Sequence, residues 1–271
     1  MSTQAYTQKV MNRNGMVLLL PNVKDMDDLL YTYPPNPFAE GTEQLFPLGT
    51  KLIRGDQCWR YCKAGAAIAI ATAVQAAAPA DAEQSDDIVV AAASAIGDYT
   101  VSLTSTDALD AAPNNEANAF ADGYLIVNDE AGEGQLLKIK SNEAFDDSES
   151  VVVFTLYDPL TIALTTSSEV GLIMNPYCDV ITTTAVLTGA PLGLTGIAVT
   201  GADYYFWLHT GGPAPARANA AIVAGETVVF GTTAGECDPA AAFDTEAVVG
   251  YAATLAVAQD EHFIVDLIID K

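Results

Sequence analysis

The sequence predicts an all-β protein: an antiparallel β-sandwich or barrel body carried on an extended N-terminal arm. Three observations lead there. From Gly49 onward, short β-branched and aromatic stretches alternate with glycine, asparagine and aspartate, the composition of antiparallel strands and their turns. Few stretches carry the 3.6-residue periodicity of a long amphipathic helix. Before Gly49, the prolines of Tyr31-Thr-Tyr-Pro-Pro-Asn-Pro-Phe38 and of Phe46-Pro47 fix φ and remove amide donors, which favours an extended path.

The arm spans residues 1–48, with one short helical turn expected around 25–31. It holds Leu18, Leu19, Leu20, Leu29, Leu30, Tyr31, Tyr33, Phe38 and Phe46, too much apolar surface to be left loose in water. Such an arm either wraps the body or docks on a partner. The body spans 49–271, as one domain or as two related β units, 49–183 and 184–271. Its strands are expected at 57–63, 88–92, 99–103, 123–127, 135–140, 151–157, 170–174, 197–200, 204–209, 227–230, 247–252 and 262–269. The alanine-rich stretch 64–80 reads as a strand with small residues on one face, because its alternation opposes alanine's weak helix propensity.

An internal echo suggests the two units. Gly55 and Gly65 enclose Trp59 and Tyr61, while Gly201 and Gly211 enclose Tyr205 and Trp207 at the same spacing. Each aromatic pair would lie on one face of its strand. As ordinary core aromatics they would need no duplication.

Charge divides the chain. Of its 271 residues 17% are charged, and seven of the eleven bases fall in the first 63 positions beside six acids, a balance of +1. The rest carries −25. Such a body repels nucleic acid and anionic membrane, which bind through lysine and arginine contacts to phosphate. No apolar run approaches the ~20 residues a bilayer span requires, and no charged-then-apolar leader opens the chain, so synthesis and folding in a cytoplasm are expected. The four cysteines, 58, 62, 178 and 237, form no CxxC pair and read as reduced thiols. On one strand Cys58 and Cys62 would stand roughly 13 Å apart, too far to bridge.

The residues offer little catalytic chemistry. His209 and His262 are the only histidines, both beside bulky apolar residues, and no nucleophile-elbow motif accompanies them. The acidic clusters Asp86-Asp87 and Asp146-Asp147-Ser148-Glu149 lack the alternating oxygens and central glycine of a calcium loop. Asn128-Asp-Glu-Ala-Gly-Glu-Gly134 lacks the Gly-Lys-Ser/Thr ending of a phosphate loop and reads as a hairpin turn. Arg54-Gly55-Asp56 is short and sits where a turn glycine is needed. No cofactor or metal is expected, and the chain reads as a non-enzyme.

Leu48-Gly-Thr-Lys-Leu-Ile-Arg-Gly-Asp-Gln-Cys-Trp-Arg-Tyr-Cys-Lys-Ala-Gly65 resembles a segment near the start of tailed-phage virion structural proteins. There a Gly-Asp turn leads to an aromatic strand ending in Lys-Ala-Gly and then an alanine-rich stretch. Asp122-Gly-Tyr-Leu-Ile-Val, Glu133-Gly134, Asn175-Pro-Tyr-Cys-Asp-Val180, Tyr204-Tyr-Phe-Trp-Leu-His-Thr-Gly211 and Val248-Val-Gly250 are similar to that group in order and spacing, over roughly 45–271. The cysteines flanking Trp59 depart from it. The resemblance implies a capsid decoration or cement protein on the exterior of the head, a homotrimer whose partner is the major capsid protein, without catalytic residues. Residue type and position place partner contacts on Leu29, Tyr31, Tyr33, Phe38 and Phe46 of the arm, extended by Arg54 and Arg60. Two other readings compete: a tail or fibre component binding host glycan on Trp59 or Trp207, and a polysaccharide hydrolase working with a carboxylate pair.

Overall fold

The structure, a computed structural model, describes residues 9–13, 15–20, 35–79, 82–104, 109, 114–144, 151–241 and 246–270. The chain is all-β and antiparallel, and it forms two compact units. Among the described residues the smaller unit is Ala78–Asn175, and the larger takes those before Ala78 and those from Pro176 onward. The smaller is therefore an insertion in the larger.

The larger unit begins with β1 (Lys9–Arg13), β2 (Met16–Leu20), β3 (Lys51–Arg54), β4 (Gln57–Lys63) and β5 (Ala73–Gln75). The smaller unit follows with α1 (Ala82–Asp86), β6 (Ile88–Ala92), β7 (Thr100–Thr104), β8 (Tyr124–Asp129), β9 (Leu136–Asn142), β10 (Val151–Leu156) and β11 (Glu169–Ile173). The chain then returns to the larger unit through β12 (Ile181–Thr182), β13 (Pro191–Thr195), β14 (Tyr205–Arg217), β15 (Thr227–Phe230), β16 (Cys237–Pro239), β17 (Val248–Ala252) and β18 (His262–Leu267).

The smaller unit closes into a six-stranded barrel in the order β10-β7-β6-β11-β8-β9. Closure follows from alternation: Val152, Phe154 and Leu156 of β10 point inward with Val101 and Leu103 of β7, and Val151 points to solvent. Phe120 packs edge-on to Phe154 at 5.7 Å in that core. The segment 128–134 is the turn of the β8–β9 hairpin, as expected.

The larger unit's sheet runs β1-β2-β3-β4-β14-β18-β17-β15-β16, with β5, β12 and β13 branching from it. Its pairings repeat. In a first module β4 pairs with the start of β14, and β5 pairs with β13; Lys63 lies opposite Tyr205, and Thr195 opposite Leu208. In a second module the end of β14 pairs with β18, and β15 pairs with β17; Arg217 lies opposite His262, and Ala252 opposite Val265. Even the bulges coincide, between Pro191 and Gly193 on Val74–Gln75, and between Gly250 and Val248 on Val228–Val229. The same residue carries positive φ in each copy, Asp203 at 63° and Asp260 at 67°.

The cores match residue for residue. All ten buried residues of the first module's core have a counterpart in the second: Cys62, Ala64, Ile68, Val74, Ala76, Val180, Leu192, Val199, Phe206 and Leu208 correspond to Ala216, Ala218, Ile222, Val228, Phe230, Cys237, Val249, Ala256, Phe263 and Val265. Substitutions between them keep the site apolar while trading volume, the kind of change a core tolerates when it is repacked as a whole. The smaller unit uses the same connectivity: β6 pairs with β11, β7 pairs with β10, and the two connections are bridged at Ser94 and Leu164. The chain is thus a first module interrupted by a unit of like connectivity and followed by a second module.

The two modules of the larger unit share β14. Its bend is at Gly212, whose φ is +74° and where an added Cβ would lie 1.9 Å from the Asp56 carbonyl oxygen, so only glycine fits. Beyond it Pro213 and Pro215 alternate, and the Pro213 carbonyl accepts from Gln57 Nε2 at 2.9 Å. Prolines on that edge present no amide donors, so no further strand can add there.

Several expectations change. Residues 9–20, expected in an extended arm, are a hairpin that adds β1 and β2 to β3, because Leu18 and Leu20 bury on the sheet. The segment 35–48 crosses the larger unit, with the Gly41 amide on the Tyr205 carbonyl and Phe46 in the core. The helical turn at 25–31 lies outside the described residues. The unit boundaries fall at 78 and 175 rather than at 183. The Trp59/Tyr61 and Tyr205/Trp207 segments are not copies of each other: they are neighbouring strands of one module, with Tyr61 opposite Trp207. In the true repeat, Trp59 and Tyr61 correspond to Pro213 and Pro215. The stretches 64–80 and 197–200 are mostly connections, held by single bridges at Ala64, Ile68 and Val199 around the short β5.

Candidate functional site

Four strands of the larger unit position the residues singled out from the sequence. β3 and β4 form a hairpin whose turn is Gly55-Asp56, and Arg54 and Gln57 close it, with Arg54 Nη2 donating to Gln57 Oε1 at 3.3 Å. The Arg54 guanidinium lies 5.1 Å from the centroid of the Phe38 ring and 5.1 Å from that of Trp59. Phe38 is 54% exposed and is held at its amide by Asn36 Oδ1 at 3.1 Å. A cation over an aromatic face at such distances contributes roughly 0.5–1 kcal/mol at a surface site. Exposed Phe38 and half-buried Arg54 therefore meet as one cationic and aromatic feature at the surface.

Arg60 is engaged otherwise. Its Nε donates to Asp270 Oδ2 at 2.6 Å and its Nη2 to Asp270 Oδ1 at 3.1 Å, while Nη1 holds the Gly49 carbonyl at 2.9 Å. Lys51 Nζ reaches the same carboxylate at 3.0 Å, and Thr210 Oγ1 and Cys58 Sγ complete its surroundings. Burial pushes the Asp270 carboxyl up, but the hydrogen bonds from Arg60 and Lys51 outweigh it and hold the group below its ordinary value. This cluster clasps the end of β18's segment onto β3 and β4.

Phe46 is a core residue, edge-on to Tyr61 at 5.2 Å and 5.3 Å from Trp207, and does not face a partner. Leu29, Tyr31 and Tyr33 lie outside the described residues. Of the seven predicted contact residues the structure thus brings Phe38 and Arg54 together at the surface.

His209 is buried against Trp59, ring centroids 4.8 Å apart. Burial, with the Arg54 cation as a second cause, pulls its pKa down to about 4, so it is neutral near pH 7. Its Nδ1 and Trp59 Nε1 are buried without a hydrogen-bond partner. Trp59 and Trp207 are both buried, which removes them as sugar platforms. The four thiols are free, and burial raises the pKa of each, the state of inert thiols. Among the described residues no group of three or more His, Cys, Asp or Glu side chains could hold a metal ion. A groove of about 280 Å³ on the smaller unit is lined by Tyr124, Ile126, Leu136 and Ile173 with Ser85, an apolar surface without an acid–base pair.

Charge is also uneven between the two units. The smaller unit holds 18 acids against Lys138 and Lys140, a net −16, and the larger holds nine of the eleven bases and nets −8. The larger unit is itself divided, since its residues 7–77 carry +1 and its residues 176–271 carry −9. No family model, curated protein or solved structure matches the chain.

Proposed function

We propose that this chain is a non-enzymatic structural accessory protein of a phage capsid, which binds the outer surface of the head and stabilises it. The larger unit docks on the major capsid protein and the acidic inserted barrel stays in solvent. One observation carries the reading: the exposed Phe38 ring under the Arg54 guanidinium stands on the unit that owns nine of the eleven bases. Exposed aromatic and arginine side chains are the residue types that dominate binding energy at protein interfaces. A barrel of net −16 keeps clear of packaged nucleic acid and of other acidic surfaces. The similarity of 48–65 and the later glycine and aromatic motifs to tailed-phage virion proteins points the same way.

The test is co-sedimentation of the purified protein with empty heads. The wild type should pellet with them, and the F38A/R54A variant should bind at least tenfold more weakly with an unchanged melting temperature. Full binding by that variant would remove Phe38 and Arg54 from the interface, and absence of any binding would remove the capsid reading.

A further inference from the structure

The first module shows what lies on its outer face. Segment 35–48 crosses there as a strap: the Gly41 amide donates to the Tyr205 carbonyl at 3.0 Å, and the Tyr205 amide to the Gly41 carbonyl at 2.7 Å. Five residues on, Phe46 seats against Tyr61 and Trp207, and both are buried beneath it. In the smaller unit a helix takes that side. Glu169 lies opposite Val89 as Tyr205 lies opposite Lys63. At Gly171, two residues further, an added Cβ would lie 2.0 Å from the Ser85 carbonyl oxygen of α1.

The second module has the same face without a layer over it. Because Phe206 and Leu208 correspond to Phe263 and Val265, Tyr205 and Trp207 correspond to His262 and Ile264; Tyr61 corresponds to Pro215, which lies opposite Ile264. Ile264 is 45% exposed, and Tyr251 on the neighbouring strand is 50% exposed. The Ala218 amide donates to the Glu261 carbonyl, so His262 and Arg217 face each other as a pair that exchanges no hydrogen bonds. The His262 amide and carbonyl therefore point away from β14, as those of Tyr205 point toward Gly41. Among the described residues neither has a backbone partner.

We infer that this face docks an extended apolar segment of a partner protein, neutral or basic in charge, which pairs with the His262 backbone and seats a side chain between Pro215 and Ile264. Backbone pairing plus side-chain anchors is the way an extended peptide adds to an open strand. Charge decides against the strap of a second copy. In the first module the Glu40 carboxylate takes the Thr200 amide at 2.8 Å and the Thr200 hydroxyl. The second module has Val257 at that place, without a hydroxyl, and its amide already donates to Glu261 Oε2 at 2.7 Å. Segment 35–48, with Glu40 and Glu43, would bring its carboxylates toward Glu261 and Asp266 and be repelled. Arg217 on the same face offers no relief, since Glu236 and Asp260 engage it. A neutral or basic segment meets no such opposition. The site does not depend on the capsid reading.

The probe is a synthetic peptide of residues 35–48 carrying Glu40→Lys and Glu43→Lys, added to the full-length protein and followed by fluorescence anisotropy and amide hydrogen exchange. In the free protein the Tyr205 amide should be protected and the His262 amide should exchange freely; the peptide should bind and protect His262. Ile264→Asp in the protein should weaken binding roughly tenfold or more at an unchanged melting temperature. The peptide with its native glutamates should bind more weakly by a similar factor. Protection of His262 in the free protein would mean that the chain covers its own face, and equal binding of the native peptide would make the occupant a second copy; either overturns the inference. So does absence of binding, or binding that ignores Ile264→Asp. None of these results bears on co-sedimentation with heads, which tests the capsid reading separately.

Discussion

Lys63 and Arg217 hold the same place in two copies of one module, each the last residue of the first strand, and each reaches the acid that follows the turn before the last strand. Lys63 Nζ lies 3.1 Å from Asp203, and Arg217 Nη2 lies 3.0 Å from Asp260. They differ in a third partner, since Arg217 also pairs with Glu236, whose side chain is buried.

That difference sets the energetic expectation. Asp203 and Asp260 are largely exposed, so replacing either with alanine should cost less than about 1 kcal/mol. Lys63→Ala should cost about as little. Arg217→Ala strands the Glu236 carboxylate in the interior and should cost about 3 kcal/mol. Urea midpoints of the four variants check the ranking, and equal losses for Lys63→Ala and Arg217→Ala would contradict it.

Asp270→Ala removes the one carboxylate that neutralises Lys51 and Arg60. The cluster is partly open to solvent, so the expected loss is about 2 kcal/mol, below that of a fully buried pair. Acetate or phosphate at tens of millimolar should restore part of the melting temperature of this variant and leave the wild type unmoved.

The pH dependence of stability has a defined contribution from His209. Its folded pKa, about 4, lies below the ordinary 6.5, so the unfolded chain takes up the proton first as pH falls. Stability from this group is fully present above 6.5, declines between 6.5 and about 4, and levels off below. The full amplitude is on the order of 3 kcal/mol. Carboxylates contribute at the acid end, so the diagnostic comparison is with His209→Gln, whose unfolding free energy should be flatter between pH 6.5 and 5.

The insertion makes a prediction about excision. In the second module β15 joins β16 through residues 231–236 alone, at the place where the first module holds the whole smaller unit. Replacing residues 78–175 with Gly-Thr-Thr-Ala-Gly-Glu should leave a larger unit that unfolds cooperatively. Residues 78–175 expressed alone should retain β circular dichroism, since that barrel encloses its own core.

Much of the strand pattern was legible: β6 falls where buried Ile88 and Val90 alternate with exposed Val89, while β4 and β15, buried on both faces, were legible from β-branched and aromatic residues between turn residues. The strands missed, β1, β2, β3, β12, β13 and β16, are short or lie in runs such as Leu18-Leu19-Leu20, where no alternation survives, and of the strand expected over 64–80 only the short β5 forms. The duplication left a readable trace in Lys63-Ala-Gly-Ala-Ala-Ile68 and Arg217-Ala-Asn-Ala-Ala-Ile222. Aromatic spacing instead drew attention to a cross-strand pairing, since large side chains on neighbouring strands mimic a repeat. Phe38 and Arg54 were singled out by residue type, but their meeting, guanidinium 5.1 Å from the ring centroid, depends on the chain crossing back over the β3–β4 turn. The burial of Phe46 and the engagement of Arg60 were not, since both depend on partners far away in the chain, Trp207 and Asp270.

β14 has a consequence for what can fold by itself. One 13-residue strand, Tyr205–Arg217, is the last strand of one module and the first of the next, so neither module can be cut free without taking a wall from the other. In the larger unit the smallest piece able to fold is thus the pair of modules together, whereas the inserted barrel closes on its own six strands.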